Sequence, residues 1–420
     1  MDVAAPARRD RYVDLLRAVS IGAVVLGHWT VGSVVPADGG VEFVNLLDIA
    51  PRTHPLTWLF QVMPVFFLVG GYANAASLAS PRRGTIPGWI RRRALRLLRP
   101  ATIVIGVVLV VRLLAPALDA VDLAHNATWA AVTPLWFLVV YLGVLLVSPW
   151  AVAAHQRWGW GVVLVLVAGV ALGDILRLTT GSTAPASANY ALAWLAIHQV
   201  GIIWRDGGLP TTRRGAVALL AGGLATALLL VGPGPYGAAM VGAATPPDLS
   251  NTAPPTLALL ALAAAQTGAV LLLRPLGTAW VARPRVWALV ARVNLVILTV
   301  FLWHMAVLVI VGFALVGTGL LPVPDVGSAA WWAWRIPWIV ALSLVLALLV
   351  ALLGPVEAAA PPPATERPSA VAVGAGLVTV LIGLGVLGVT DTVGAGPQLA
   401  GIPVAEVALV LGGLVTLERA

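Results

Sequence analysis

Apolar residues in this chain come in long runs rather than in alternation. About 20 consecutive apolar residues cross a hydrocarbon core as a helix. Twelve such runs occur, at 13–35, 56–79, 100–118, 134–152, 160–176, 188–204, 215–232, 254–273, 294–316, 335–353, 369–389 and 398–417. The pattern predicts an all-α fold, a polytopic transmembrane helical bundle. The run at 160–176 is short, and the run at 188–204 carries Asn189, His198 and Gln199, so these two are the least regular. A membrane barrel would instead alternate polar and apolar residues over strands of about ten. Segment 354–368, GPVEAAAPPPATERP, reads as a cytoplasmic Pro/Ala linker. It separates a ten-span core, 1–353, whose spans carry polar residues, from two nearly featureless accessory helices in 369–420.

Polar positions inside such runs are costly in lipid and belong in a bundle interior or a wet cavity. The first run holds Arg17 and His28, 11 positions apart. At about 100° per residue that is close to three full turns, so the two share a helix face, roughly 16 Å apart along the axis. Asp14 lies three residues before Arg17, near the same face. It either orients Arg17 or serves as a favourable charge at the helix start. A neutral imidazole at the depth of His28 can take a proton from a hydroxyl or attack an acyl group itself. It can equally be an interior histidine satisfied by a neighbouring span. His304, in FLWHM at 301–305, lies at a similar depth, so two histidines can share one site. A zinc site is not expected, because no carboxylate or third histidine matches that depth. His198 lies nearer the inner face, placed either against a soluble donor or in core hydrogen bonding.

Composition sharpens the class. The chain is 60% hydrophobic and 10% charged, with a mean hydropathy of +0.96; soluble domains carry about 25% charged residues. Cysteine is absent, which excludes disulfides and thiolate metal sites. All 25 basic residues are arginine, and the Ala/Val/Leu/Gly/Arg bias matches a GC-rich bacterial genome. The net charge of +8 is topology rather than nucleic-acid binding. With the N-terminus cytoplasmic, only Arg52, Arg112, Arg177 and Arg335 fall on the outer side, and the positive-inside rule selects that orientation with an even number of spans. The first run shows no signal-cleavage pattern and is expected to stay as a span of a multi-pass plasma-membrane protein.

The densest basic segment is RRRALRLLRP at 91–100. Arg92, Arg96 and Arg99 follow i, i+4, i+7 spacing on one face. Such a face can fork onto the phosphates of a soluble donor, or anchor the chain to anionic headgroups. In 61–77, Pro64 predicts a bend, and Gly70 and Gly71 allow close helix approach; Gln61 and Asn74 are its polar candidates. On the outer side Arg52, His54, Asp174, Arg177, Asn251 and Thr252 are placed to meet a hydroxylated acceptor or simply to be solvated. Trp331, Trp332 and Trp334 read as an interfacial aromatic belt. Asn126-Ala-Thr128 matches a glycosylation sequon, which is uninformative for a bacterial chain.

The ordered series Arg17-x10-His28, PVFFLVGG at 64–71, Arg93-x-x-Arg96, LWFL at 135–138 and FLWHM at 301–305 resembles the acyltransferase-3 family over residues 8–353. The resemblance implies a bacterial membrane O-acyltransferase. Such an enzyme moves an acyl group, often acetyl, from cytoplasmic acyl-CoA (acetyl-CoA in that case) to a hydroxyl of a glycan, lipid-linked sugar or other envelope molecule. It implies that His28 is catalytic with Arg17 as its companion, that Arg93 and Arg96 engage the donor, and that no metal takes part. The family's usual Ser-Gly in the second span is Gly70-Gly71 here, the last two spans lie outside the usual core, and no esterase-like domain follows. The rival reading is a transporter or flippase, against which stands the lack of an inverted repeat.

Overall fold

The computed structural model describes residues 10–37, 40–81, 84–118, 124, 127–128, 131–242, 250–359, 368–389, 398–399 and 402–420. Arg8, Arg9, Arg82, Arg83, Arg367, the sequon residue Asn126 and the linker stretch 360–367 lie outside the described residues. Helices account for most of the described chain. They are α1 (Arg11–Val31), α2 (Met63–Leu78), α3 (Ile86–Leu114), α4 (Leu135–Trp158), α5 (Gly161–Thr180), α6 (Asn189–Arg205) and α7 (Arg213–Val231). After these come α8 (Leu257–Val281), α9 (Pro284–Leu295), α10 (Ile297–Val316), α11 (Ala329–Ala358), α12 (Ala370–Val389) and α13 (Val404–Arg419).

Among the described residues, ten helical segments are long and apolar enough to cross a membrane. The other two expected spans are helices as well, but short: α6 has 17 residues and α13 has 16. At about 1.5 Å per residue such helices fall a few ångströms below a hydrocarbon core of about 30 Å. Three stretches depart from the sequence reading. The first run, expected over 13–35, ends as helix at Val31 and passes into an antiparallel hairpin, β1 (Gly32–Ala37) with β2 (Gly40–Asn45), in the register Gly32↔Asn45 and Val35↔Glu42. The inner stretch 284–295 is the amphipathic helix α9, where Trp287 lies 4.7 Å beneath the Arg11 guanidinium. Helix α11 runs on to Ala358, so residues 354–358 continue the tenth span instead of beginning a linker.

The chain forms two compact units, Met1–Val24 with Ala50–Arg83 and Val147–Asn294, and Val25–Ile49 with Gly84–Leu146 and Leu295–Ala420. Helix α1 passes from the first to the second after Val24.

Glycine decides how the helices of the first unit approach. A Cβ on Gly71 of α2 would collide with the His198 carbonyl of α6, and one on Gly201 would collide with the Leu68 carbonyl. The second glycine of the Gly70-Gly71 pair is therefore a contact point between backbones. The segment after α7 is stitched down by buried amides. Gln61 donates to the Met240 carbonyl at 2.6 Å, and Asn251 donates to those of Gly237 and Ala239 at 2.7 and 2.9 Å.

In the second unit α10 is the most enclosed of the candidate spans. The accessory helices α12 and α13 meet through glycine: a Cβ on Gly376 would stand 2.9 Å from the Gly413 carbonyl oxygen, and one on Gly413 2.6 Å from that of Gly376. Helix α3 ties this pair down. The buried Arg91 donates from Nε to the Leu417 carbonyl at 2.8 Å and from Nη2 to that of Glu418 at 2.7 Å, satisfying two of the carbonyls a helix end leaves open.

Candidate active site

His28 lies in the last turn of α1 and His304 near the middle of α10, both in the second unit. The two rings meet: His28 Nδ1 is 2.7 Å from His304 Nε2. The ring planes are 8° from parallel with centroids 5.0 Å apart, so most of the separation is spanned by the facing edges, the geometry of an in-plane hydrogen bond. Protons can be assigned from the partners. His304 Nδ1 contacts the Phe301 carbonyl oxygen, which only accepts, so Nδ1 carries the proton. In a neutral imidazole the other nitrogen is then an acceptor. His304 Nε2 therefore receives a hydrogen bond, and His28 Nδ1–H donates it. What remains is the lone pair on His28 Nε2. His304 is fully enclosed, whereas His28 is only half-buried and keeps an open side.

The surroundings hold this pair in place. Trp29, next to His28, donates its indole N–H to the His304 carbonyl at 2.9 Å, a second hydrogen bond between α1 and α10 beside the histidine contact. Phe301 stacks edge-on against Phe137 of the LWFL segment, centroids 5.0 Å apart, and backs the turn of α10 that supplies the carbonyl.

About two turns before His304, α10 begins without a side-chain cap of its own. Glu357 of α11 supplies one from across the unit. Its carboxylate accepts from Leu298 N at 3.0 Å, from Thr299 N at 2.7 Å and from Thr299 Oγ1 at 2.7 Å. A buried carboxylate there satisfies open amides and complements the positive end of the helix dipole. Arg96 of α3 adds an electrostatic attraction to the same carboxylate.

The basic segment divides by role. Arg91 is consumed in anchoring α13, as above. Arg96 is exposed, and Arg92, Arg93 and Arg99 are half-buried on the first half of α3. Arg93 lies 4.9 Å over the Trp89 ring. These residues form part of a helix and not a loop, which realises the shared face of Arg92, Arg96 and Arg99.

Arg17, Asp14 and His198 belong to the first unit. Arg17 is half-buried on α1. Asp14 is buried, and its backbone carbonyl accepts from Asn294 Nδ2 at 3.0 Å. His198 is enclosed in a polar knot: Asn74 Nδ2 reaches His198 Nε2 at 3.2 Å and donates to Ser148 Oγ at 3.0 Å. That is core hydrogen bonding.

Three outer residues expected to meet an acceptor or to be solvated, His54, Asp174 and Asn251, are buried instead. Asp174 is 2% exposed and accepts from Tyr236 OH at 2.8 Å, from Leu257 N at 2.9 Å and from Asn189 Nδ2 at 3.0 Å. Burial, with the Asp174 charge beside it, pushes the Tyr236 hydroxyl far above its ordinary range, so it remains a donor. Asn251, 1% exposed, holds the same segment. Asp174 and Asn251 are occupied as struts: Asn251 supplies donors to loop carbonyls, and Asp174 supplies an acceptor to a hydroxyl and two N–H donors that burial would otherwise leave unpaired.

Sequence reasoning missed Glu357 and Trp29. The signal for Glu357 was a lone carboxylate just past an apolar run, which the Pro/Ala composition around it disguised as linker. Trp29 gave no signal beyond its neighbour.

The paired histidines leave one imidazole nitrogen, Nε2 of His28, with a free lone pair. The acyltransferase domain of acyltransferase family 3 matches residues 10–354. The chain belongs to that family. It is a multi-pass membrane O-acyltransferase, and the paired histidines lie inside the matched region. No curated protein and no solved structure matches the chain.

Proposed function

We propose that this O-acyltransferase takes an acyl group, acetyl in the simplest case, from cytoplasmic acyl-CoA. The acceptor is a hydroxyl on a glycan or lipid-linked sugar of the bacterial envelope, and His28 is the base. The observation that carries the reading is the chain Phe301 carbonyl, His304, His28, which leaves Nε2 of His28 as the basic atom. Nε2 takes the proton of the acceptor hydroxyl as that oxygen attacks the thioester carbonyl. The carbon–sulfur bond breaks, and the CoA sulfur leaves with the proton returned to it. His304 fixes the tautomer and orientation of His28 and accepts the hydrogen bond of the imidazolium that forms, the part a carboxylate plays in a serine hydrolase triad. Arg92, Arg93, Arg96 and Arg99 supply guanidinium forks for the CoA phosphates. Arg17, three turns from His28 on α1, is its charged companion at the cytoplasmic end, with Asp14 beside it. No metal is called for in these steps.

Comparative mass spectrometry of envelope glycans and lipids, from cells with the protein and cells lacking it, tests the reading. One species is expected to lose the mass of an acyl substituent and regain it on complementation. An unchanged envelope, with substrate flux into liposomes in its place, would favour the transporter reading.

A further inference from the structure

Beyond the two histidines, α10 ends at Leu315 and Val316 against a second feature of the same unit. A pocket of about 100 Å³ lies there, with Val34, Leu315, Pro322, Trp331, Arg335 and Trp338 among its walls. A cavity needs only about 10–15 Å³ of such volume to hold one water, so this one admits a chemical group several times larger.

Its polar inventory is unbalanced in one direction. Arg335 donates from Nη1 to the Gly32 carbonyl at 3.0 Å, and its guanidinium carbon lies 4.1 Å over the Trp331 ring and 5.6 Å from the Trp338 ring centroid. The Trp331 indole is spent on Ser33 Oγ at 3.1 Å. Two buried donors remain without an acceptor, Arg335 Nε and Trp338 Nε1, and Trp338 is only 7% exposed. Among the described residues no carboxylate pairs with Arg335. A guanidinium at membrane depth without a counter-ion is costly, and buried donors are normally satisfied. The Nε edge is also the edge that takes an oxyanion in fork geometry.

The surroundings identify the rest of the ligand. Apart from these donors the walls are indole, proline and aliphatic. Ile336, Val340, Leu344, Leu348 and Leu352 form an exposed apolar stripe along α11, beside Pro337 and Ala341 of the pocket, which is the surface lipid chains cover. The pocket thus adjoins an apolar face that lipid chains can cover.

We infer that the pocket on Arg335 and Trp338 is a binding subsite for the oxyanion of a membrane-anchored amphiphile. It holds a phosphate or phosphodiester, with the apolar chain along α11. Resting on the acyl-transfer reading, the subsite anchors the acceptor. Gly32, whose carbonyl Arg335 holds, follows His28 by four residues, and Leu315 follows His304 by 11, about 16 Å along α10. An acceptor held there has its reacting hydroxyl several bonds from its phosphate, as in a phosphate-linked sugar.

The test is calorimetric titration of the full-length protein in neutral detergent with dodecyl phosphate, inorganic phosphate and dodecyl maltoside. Dodecyl phosphate is expected to bind saturably, at least tenfold more tightly than inorganic phosphate, with no saturable maltoside binding. Arg335→Gln should weaken it at least tenfold, Arg335→Lys less. Trp338→Phe, which keeps an aromatic ring at the site but removes the N–H, should weaken it several-fold. Equal affinity for inorganic phosphate would assign the site to a free anion and overturn the amphiphile. Absent binding, or affinity untouched by both Arg335→Gln and Trp338→Phe, would overturn the subsite. None of these readouts uses acyl transfer, so failure of the transfer reading leaves the pocket standing, and the reverse.

Discussion

The tautomer of His304 is the smallest fact on which the chemistry depends. A backbone carbonyl can only accept, so the Phe301 contact fixes one proton, and every later proton in the pair follows from it. His304 therefore acts through His28. His304→Phe keeps a ring in the space and removes the acceptor for His28 Nδ1. It should lower kcat about 10²-fold, the scale seen when a reacting group is misplaced by about 1 Å. The KM for the acyl donor should not change, and the pH optimum of kcat should move because the His28 base has lost its partner. An unchanged kcat would remove His304 from the mechanism. The sequence showed that His28 and His304 share a depth, since residue counting along two spans suffices for that. It did not show that they touch, because contact depends on how α1 and α10 rotate about their axes.

At the scale of elements, α10 organises the second unit. Its start is capped by Glu357, its middle carries His304, and its end borders the Arg335 pocket. The cap comes from a residue that follows α10 by a whole further helix, so it escapes the usual local signals of a helix start, a Ser, Thr, Asp or Asn one residue ahead. Glu357→Ala leaves two amides and a hydroxyl short of an acceptor and should cost about 1–3 kcal/mol of stability. Glu357→Gln, which keeps a carbonyl acceptor, should cost less. Thermal unfolding in detergent reads the difference, and equal midpoints for wild type and Glu357→Ala would contradict the cap. The β1–β2 hairpin escaped in another way. Pro36, Gly39 and Gly40 read as loop chemistry, and the β-branched residues around them are too few to signal strands against a background of valine-rich helices.

For the whole molecule, what was legible was the count and placement of apolar runs, because bilayer thickness acts on any sequence alike. Illegible were the long-range uses of single residues, such as Arg91 anchoring α13 and Asp174 holding Tyr236 and Leu257. The predicted orientation can be checked cleanly because the chain has no cysteine. In intact cells a membrane-impermeant maleimide should label Leu320→Cys, past the end of α10, and leave Trp158→Cys, at the end of α4, unlabelled until the cells are opened. The reverse pattern would invert the topology and with it the side from which the donor arrives.

The same lack of cysteine makes the central claim directly measurable, since any thiol that appears comes from the donor. Purified protein with acetyl-CoA and an extract of envelope acceptors should release free CoA thiol. His28→Ala, at matched folding and concentration, should reduce that release about 10²–10⁴-fold, the range for losing a general base. Thiol release by His28→Ala at the wild-type rate would contradict the assignment of His28 as the base.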